Sequence, residues 1–380
     1  MKTSKWVRLA VAFLFIAALF LQVGQPKTAL AAGSQASEIK ITPVQRQAAL
    51  AHWTRSAIAK AKPFPMPVDK GNPGLAQPGV FDDSAAFGAP GRVASRAANP
   101  AAVAAAQKAY AADWQRMNNR SAPAAALPAL GSLAAYSEGY ANYWSPAETV
   151  YPNVWVGQLV FDAYGQDAYC SATVLDNNVI VTAAHCVFDT THNNWYSSWV
   201  FVPAYANGNE PFGEFPANDC WVLNKYIALK GNYSITSWTQ YDVAVCSMDT
   251  NGTDTLNDYV GYAGYTWNYN YDQSIFDLGY PFEDVHLNSL PYPGEYLMQC
   301  EGETFQKSTG VLGMGCDWGP GISGGPWLKG YSLGDGATSG DGDGYVDSVN
   351  SGLYIGKPGL YGIRFTSANI VSLCMSAGCY

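Results

Sequence analysis

Charge is scarce in this sequence: only 13% of its 380 residues are Asp, Glu, Lys or Arg, and there are four histidines. No C-x-x-C pair occurs, so a zinc site of the Cys/His type is not expected. The first 169 residues contain no cysteine; all eight lie between Cys170 and Cys379. Beyond Val23 no apolar run is long enough to span a bilayer. Cations are nearly missing from the second part of the chain. Residues 145–380 hold 6 Lys/Arg against 24 Asp/Glu, whereas residues 1–144 hold 15 against 6. An acidic body repels phosphate backbones, which argues against nucleic acid as a partner. The same asymmetry suggests that a basic front segment docks on an acidic body.

What is present falls into three pieces. Lys2, Lys5 and Arg8 precede the apolar run Leu9 to Val23, and Ala29-Leu30-Ala31 follows as a small-residue cleavage site. These are the parts of a secretory signal, expected over residues 1–32, with release from the membrane after its removal. An even number of cysteines in an exported chain then points to disulfides. Residues 33–144 read as a propeptide. Thr42-Pro43 opens a helical pattern running to about Lys60, and Asn99-Pro100 opens an alanine-rich one running to about Met117. Between them, Pro63, Pro65, Pro67, Pro73 and Pro78 deny both helix and sheet to Lys62–Gly79. The segment has too few large apolar residues to form a core alone.

From about Ser145 the texture becomes β. Short apolar or alternating runs recur, such as Val154–Phe161, Cys170–Leu175, Val179–Thr182, Trp199–Pro203 and Asp242–Cys246, separated by Gly, Asn and Asp clusters. Regular short strands with turn signals predict an all-β sandwich or barrel over 145–380.

Three local patterns carry chemistry. Thr182-Ala183-Ala184-His185-Cys186 follows a hairpin pattern, and its small residues permit a tight turn that brings the imidazole to the edge of the domain. Gly321-Ile322-Ser323-Gly324-Gly325-Pro326 flanks a serine with glycines, which allow unusual backbone angles and close approach of a substrate to backbone N–H groups. Tyr241-Asp242-Val243-Ala244-Val245 places an aspartate at the head of an alternating strand. Asp189, Asp249 and Asp254 are rival carboxylates, but none opens such a strand.

Together, in the order His, Asp, Ser, these patterns resemble the trypsin-like serine peptidases, and within them the secreted bacterial branch that includes the glutamyl endopeptidases. The resemblance covers about Val154 to Leu373, and Trp53-Thr54 near Lys62-Pro63 resembles the propeptides of that branch. It implies two antiparallel six-stranded β-barrels, chymotrypsin-like, preceded by the signal peptide and a partly helical propeptide. It also implies peptide-bond hydrolysis through an acyl-enzyme, with His185, Asp242 and Ser323 as catalytic residues and the N–H groups of Gly321 and Ser323 as the oxyanion hole. The alternative is a protease-like secreted binding module without activity. Expected partners are protein or peptide substrates and the chain's own propeptide, and the protein is expected to be an extracellular monomer without cofactor.

Two departures from the family pattern matter. Ile322 stands where digestive-type enzymes carry the aspartate that pairs with a new amino terminus, so activation by that ion pair is excluded. No histidine follows Ser323, as a glutamyl preference would require. Asp317, six residues before Ser323, matches the pocket carboxylate of enzymes with a basic preference, and the strand Val349-Asn350-Ser351-Gly352 is the candidate to pair with substrate, giving Asp317, Asn350 and Ser351 as pocket residues. Cys170–Cys186 would pin the histidine turn. Cys374–Cys379 would clip the C-terminus, and Cys220–Cys246 with Cys300–Cys316 is the simplest choice for the rest, although spacing does not fix connectivity. Asp341, Asp343 and Asp347 have calcium-loop spacing, but Gly352 stands where a bidentate acid belongs, so a solvated loop is the preferred reading.

Overall fold

The computed structural model describes residues 35–69, 88–118, 142–143, 147–231, 239–252, 254–284, 286, 288–290, 293–331, 344–354 and 359–380. The expected signal (1–32), the boundary at 144/145, and Asp341 and Asp343 lie outside the described residues.

Six strands form the first barrel: β1 (Val156–Asp162), β2 (Asp167–Leu175), β3 (Val179–Thr182), β4 (Ser197–Pro203), β5 (Phe215–Leu223) and β6 (Ala244–Met248). Their order is β5-β4-β1-β2-β3-β6, and β5 pairs with β6 to close the ring, all antiparallel. Turn chemistry sets the hairpins. Asn177 and Asn178 both adopt positive φ, 56° and 57°, between β2 and β3, the backbone sense that matches the twist of the flanking strands. Nearly every residue of β2 is buried, so alternation is lost there. Its inner face meets the barrel core, and its outer face is covered by other parts of the chain.

The second barrel contains β7 (Ser274–Gly279), β8 (Met298–Glu303), β9 (Phe305–Ser308), β10 (Val311–Met314), β11 (Pro326–Lys329), β12 (Tyr345–Tyr354) and β13 (Leu360–Ile363). Their order is β9-β10-β13-β12-β11-β7-β8. Only Thr304 separates β8 from β9, so one bent strand pairs with β7 at its start and β10 at its end and draws the sheet round on itself. Ile275, Leu312, Met314, Trp318, Trp327 and Leu360 fill it. A C-terminal helix, Ser372–Ala377, returns to pack on β5 and β6 of the first barrel. Disulfides join Cys170–Cys186, Cys220–Cys246, Cys300–Cys316 and Cys374–Cys379.

The front segment lies on these barrels. Strand Ala36–Lys40 pairs with residues 219–223 of β5. The helical pattern expected from Thr42 to Lys60 is two helices, Pro43–His52 and Arg55–Ile58. Thr42 and Gln45 cap the first in a capping box, and Thr54 caps the second, so the run is restarted at Trp53. Trp53 is 1% exposed and donates its indole N–H to Ser198 O (2.7 Å). Basic side chains meet acidic partners on the body: Arg46–Asp249 at 2.6 Å, His52–Asp167 at 2.7 Å and Arg55–Glu210 at 3.8 Å. The proline-rich stretch differs from expectation. Lys62–Pro63 pairs parallel with Ala168–Tyr169 of β2, and Val68–Asp69 pairs parallel with Leu353–Tyr354 of β12. Proline is compatible with such short edge pairings: at Pro63 the bonding falls to the next residue, whose N–H donates to Tyr169 O, and Pro67 contributes only its carbonyl, to Leu353 N–H. The alanine-rich helix runs Pro100–Asn118, as its pattern predicts.

Candidate active site

The histidine turn is built by β3 and the disulfide. Ala183 and Ala184 are wholly buried, and the single 3-10 turn Ala184–Cys186 places His185 at 5% exposure. Asp242 follows a 3-10 turn, Thr239–Tyr241, and enters β6 with no exposed surface. Its Oδ1 accepts the backbone N–H of His185 at 2.8 Å, and its Oδ2 meets His185 Nδ1 at 2.7 Å. Because a carboxylate only accepts, this contact is donated by a proton on Nδ1.

Ser323 belongs to the second barrel. Gly321 (φ 105°) and Gly324 (φ 80°) on either side take angles that a side chain would oppose. The turn's own hydrogen bonds run from Gly325 N–H to Ile322 O and from Gly324 N–H to Asn350 O, and do not use the N–H groups of Gly321 or Ser323. The serine turn presses against the histidine turn. A Cβ on Gly324 would collide with Thr182 Oγ1 and lie 2.7 Å from Ala183 N.

One residue that the sequence did not single out ties the two barrels together. Ser171, next to Cys170, donates its N–H to Ser323 O (2.8 Å) and its hydroxyl to Gly321 O (3.0 Å). Its own carbonyl accepts Thr182 Oγ1–H (2.9 Å), and its hydroxyl accepts Tyr280 N–H (3.0 Å). A serine inside an apolar strand looks like any other polar position in the sequence.

Of the expected pocket residues, Ser351 directs its hydroxyl to Asp242 Oδ2 (2.7 Å) and so joins the His185–Asp242 network. Asn350 turns into the barrel, accepting Trp327 Nε1–H (2.7 Å) and donating to Asp277 Oδ1 (2.6 Å). Burial pushes the Asp277 carboxyl well above the usual carboxylate range, against its hydrogen bond from Asn350. Asp317 is half-buried between Cys316 and the fully buried Trp318. The rival acids have their own partners: His192 for Asp189, Arg46 for Asp249 and Tyr259 for Asp254. Asp347 is buried, held by Thr266 and Gln273, and so does not line an open loop. Cys170, His185 and Cys186 cluster closely, but both sulfurs are in a disulfide and offer no thiolate to a metal.

Two barrels, a buried Asp–His pair on the first and a glycine-flanked serine on the second define the chymotrypsin-like architecture, and the chain resembles the trypsin-like serine peptidases. Among solved structures it is similar to the protease Anisep from Arthrobacter nicotinovorans, with 27% identity over 60% of this chain and 96% of that one (TM-score 0.48). It is also similar to a thermostable serine protease, AL20, from an extremophilic microorganism (23% identity, 60% and 98% covered, TM-score 0.48). A Glu endopeptidase crystallised with MPD is a third (20% identity, 64% and 98% covered, TM-score 0.49). No family model matches the chain, and no curated protein does.

Proposed function

We propose that the protein is the precursor of a secreted serine endopeptidase. Ser323 Oγ attacks the scissile carbonyl while His185 Nε2 takes its proton, then delivers it to the leaving amine. Asp242 keeps the imidazole in that tautomer and stabilises the imidazolium. The N–H groups of Gly321 and Ser323 receive the developing oxyanion, a contribution of about 100- to 1000-fold per donor in such sites. Water then hydrolyses the acyl-enzyme by the same route. The observation that carries this reading is the doubly held His185. Asp242 fixes both its backbone and its ring, on a turn packed against the serine turn.

Residues 1–32 are read as the signal and 33–144 as the propeptide of this precursor. The four disulfides suit an oxidising compartment, and no helix among the described residues is long and apolar enough to cross a membrane. A serine-directed fluorophosphonate tests the chemistry. The processed protein is expected to label and Ser323→Ala to remain unlabelled; equal labelling of the two removes Ser323 from the mechanism.

A further inference from the structure

Residues 62–69 cross the cleft between the barrels. At one end Lys62–Pro63 pairs with β2, and Phe64 N–H donates to Tyr169 O (2.9 Å). In the middle the Phe64 ring stacks 6.2 Å from the His185 ring. At the other end Pro67 O accepts Leu353 N–H (3.0 Å), and Lys307 pairs with Asp69 at 3.5 Å. Phe64 and Met66 border a cavity of 310 Å³ that also reaches His185, Phe188, Tyr196 and Tyr226. Met66 itself is 4% exposed and packs into the apolar cluster of the second barrel with Trp318, Leu353, Leu312 and Leu360.

The direction of this strap matters. A cleavable peptide must set its scissile carbonyl on the Gly321 and Ser323 N–H groups of the second barrel, with its leaving amine by His185 on the first. Its N-terminal half therefore lies along the second barrel and its C-terminal half along the first. The strap runs the other way, from β2 to β12. Its carbonyls thus meet the serine in the wrong sense. Pro63, Pro65 and Pro67 stiffen it, and each X–Pro bond lacks the N–H of an ordinary leaving group.

We propose that this strap is a reversed, uncleavable occupant of the substrate cleft, and that Met66 fills the pocket for the substrate side chain preceding the scissile bond. That pocket accordingly selects an unbranched or γ-branched apolar residue such as Met or Leu, and Asp317 does not set its preference. Trp318 and Leu353 offer it hydrocarbon and no countercharge, so a Lys, Arg or Glu side chain entering there loses its hydration without compensation. The proposal rests on the serine endopeptidase reading above.

Two measurements test it. In the full-length chain, Met66→Asp and Phe64→Ala should each raise the rate of fluorophosphonate labelling at least tenfold over wild type, with folding monitored by the thermal transition. The processed enzyme, given a peptide library, should show at least tenfold higher kcat/KM for Met or Leu before the cleaved bond than for Lys, Arg or Glu. Labelling rates unchanged in both variants overturn the strap, and a preference for Lys or Arg overturns the pocket. A processed wild-type chain that never labels defeats the underlying endopeptidase reading instead, and the pocket with it.

Discussion

Asp242 receives three hydrogen bonds: one from the His185 backbone, one from its ring and one from Ser351. Removing the last leaves the pair in place but loosens the carboxylate. Ser351→Ala is expected to lower kcat about tenfold with little change in KM, the loss of roughly one charge-assisted hydrogen bond. A fall in KM-dependent binding alone would mark Ser351 as a pocket residue after all. Elsewhere, Glu148 has no exposed surface, and burial pushes its carboxyl up to about 8, against backbone hydrogen bonds that include Leu297 N–H. A carboxyl raised in the folded state binds its proton more tightly there than in the unfolded chain. Its contribution is therefore fully present below the ordinary carboxylate range and is lost as pH climbs towards 8. Glu148→Gln should flatten that decline, gaining as much as a few kcal/mol at pH 8 and almost nothing at pH 4, as read from thermal midpoints across pH. These residues differ in how well sequence reveals them. His185 and Ser323 stand in short, distinctive patterns, whereas Ser171, Glu148 and Asp277 acquire their roles only from groups far away in the chain.

Local signals at the level of elements were read correctly where one turn or cap decides the outcome. The Asn177–Asn178 hairpin and the capped helix at Thr42-Pro43 are examples, since both depend on residues within a few positions. The signals misled where a partner strand decides. Pro63 and Pro67 argue against sheet in isolation, yet β2 and β12 present edges on which a short parallel pairing forms. Similarly, the pattern through Trp53 continues as a helix by periodicity. The tryptophan breaks it because its ring is buried and its N–H is claimed by Ser198 O. Trp53→Ala removes that anchor. Truncating a buried tryptophan costs about 3–5 kcal/mol where a core closes around it. The variant front segment should therefore protect the processed body far less well against fluorophosphonate, while the body's own thermal transition is unchanged.

Across the whole molecule, the charge asymmetry has a structural counterpart in Arg46–Asp249 and Arg55–Glu210. Such pairs, partly exposed, are screened by salt, whereas the buried Trp53 and Met66 are not. The front segment supplied in trans is expected to inhibit the processed enzyme most strongly at low ionic strength and to weaken, without vanishing, as salt rises. Inhibition indifferent to salt would remove the ionic share of docking. The sequence by itself determined the β character of residues 145–380, the starts of the helices at Pro43 and Pro100 and the three patterns around His185, Asp242 and Ser323, because these follow from period, turn residues and neighbours within a few positions. Only the tertiary structure decided what faces the cleft. It turned Asn350 inward and Ser351 onto Asp242, and it laid residues 62–69 backwards between the barrels. Those outcomes depend on which hydrogen-bond donors, edges and apolar surfaces meet across hundreds of residues, and no local pattern contains that information.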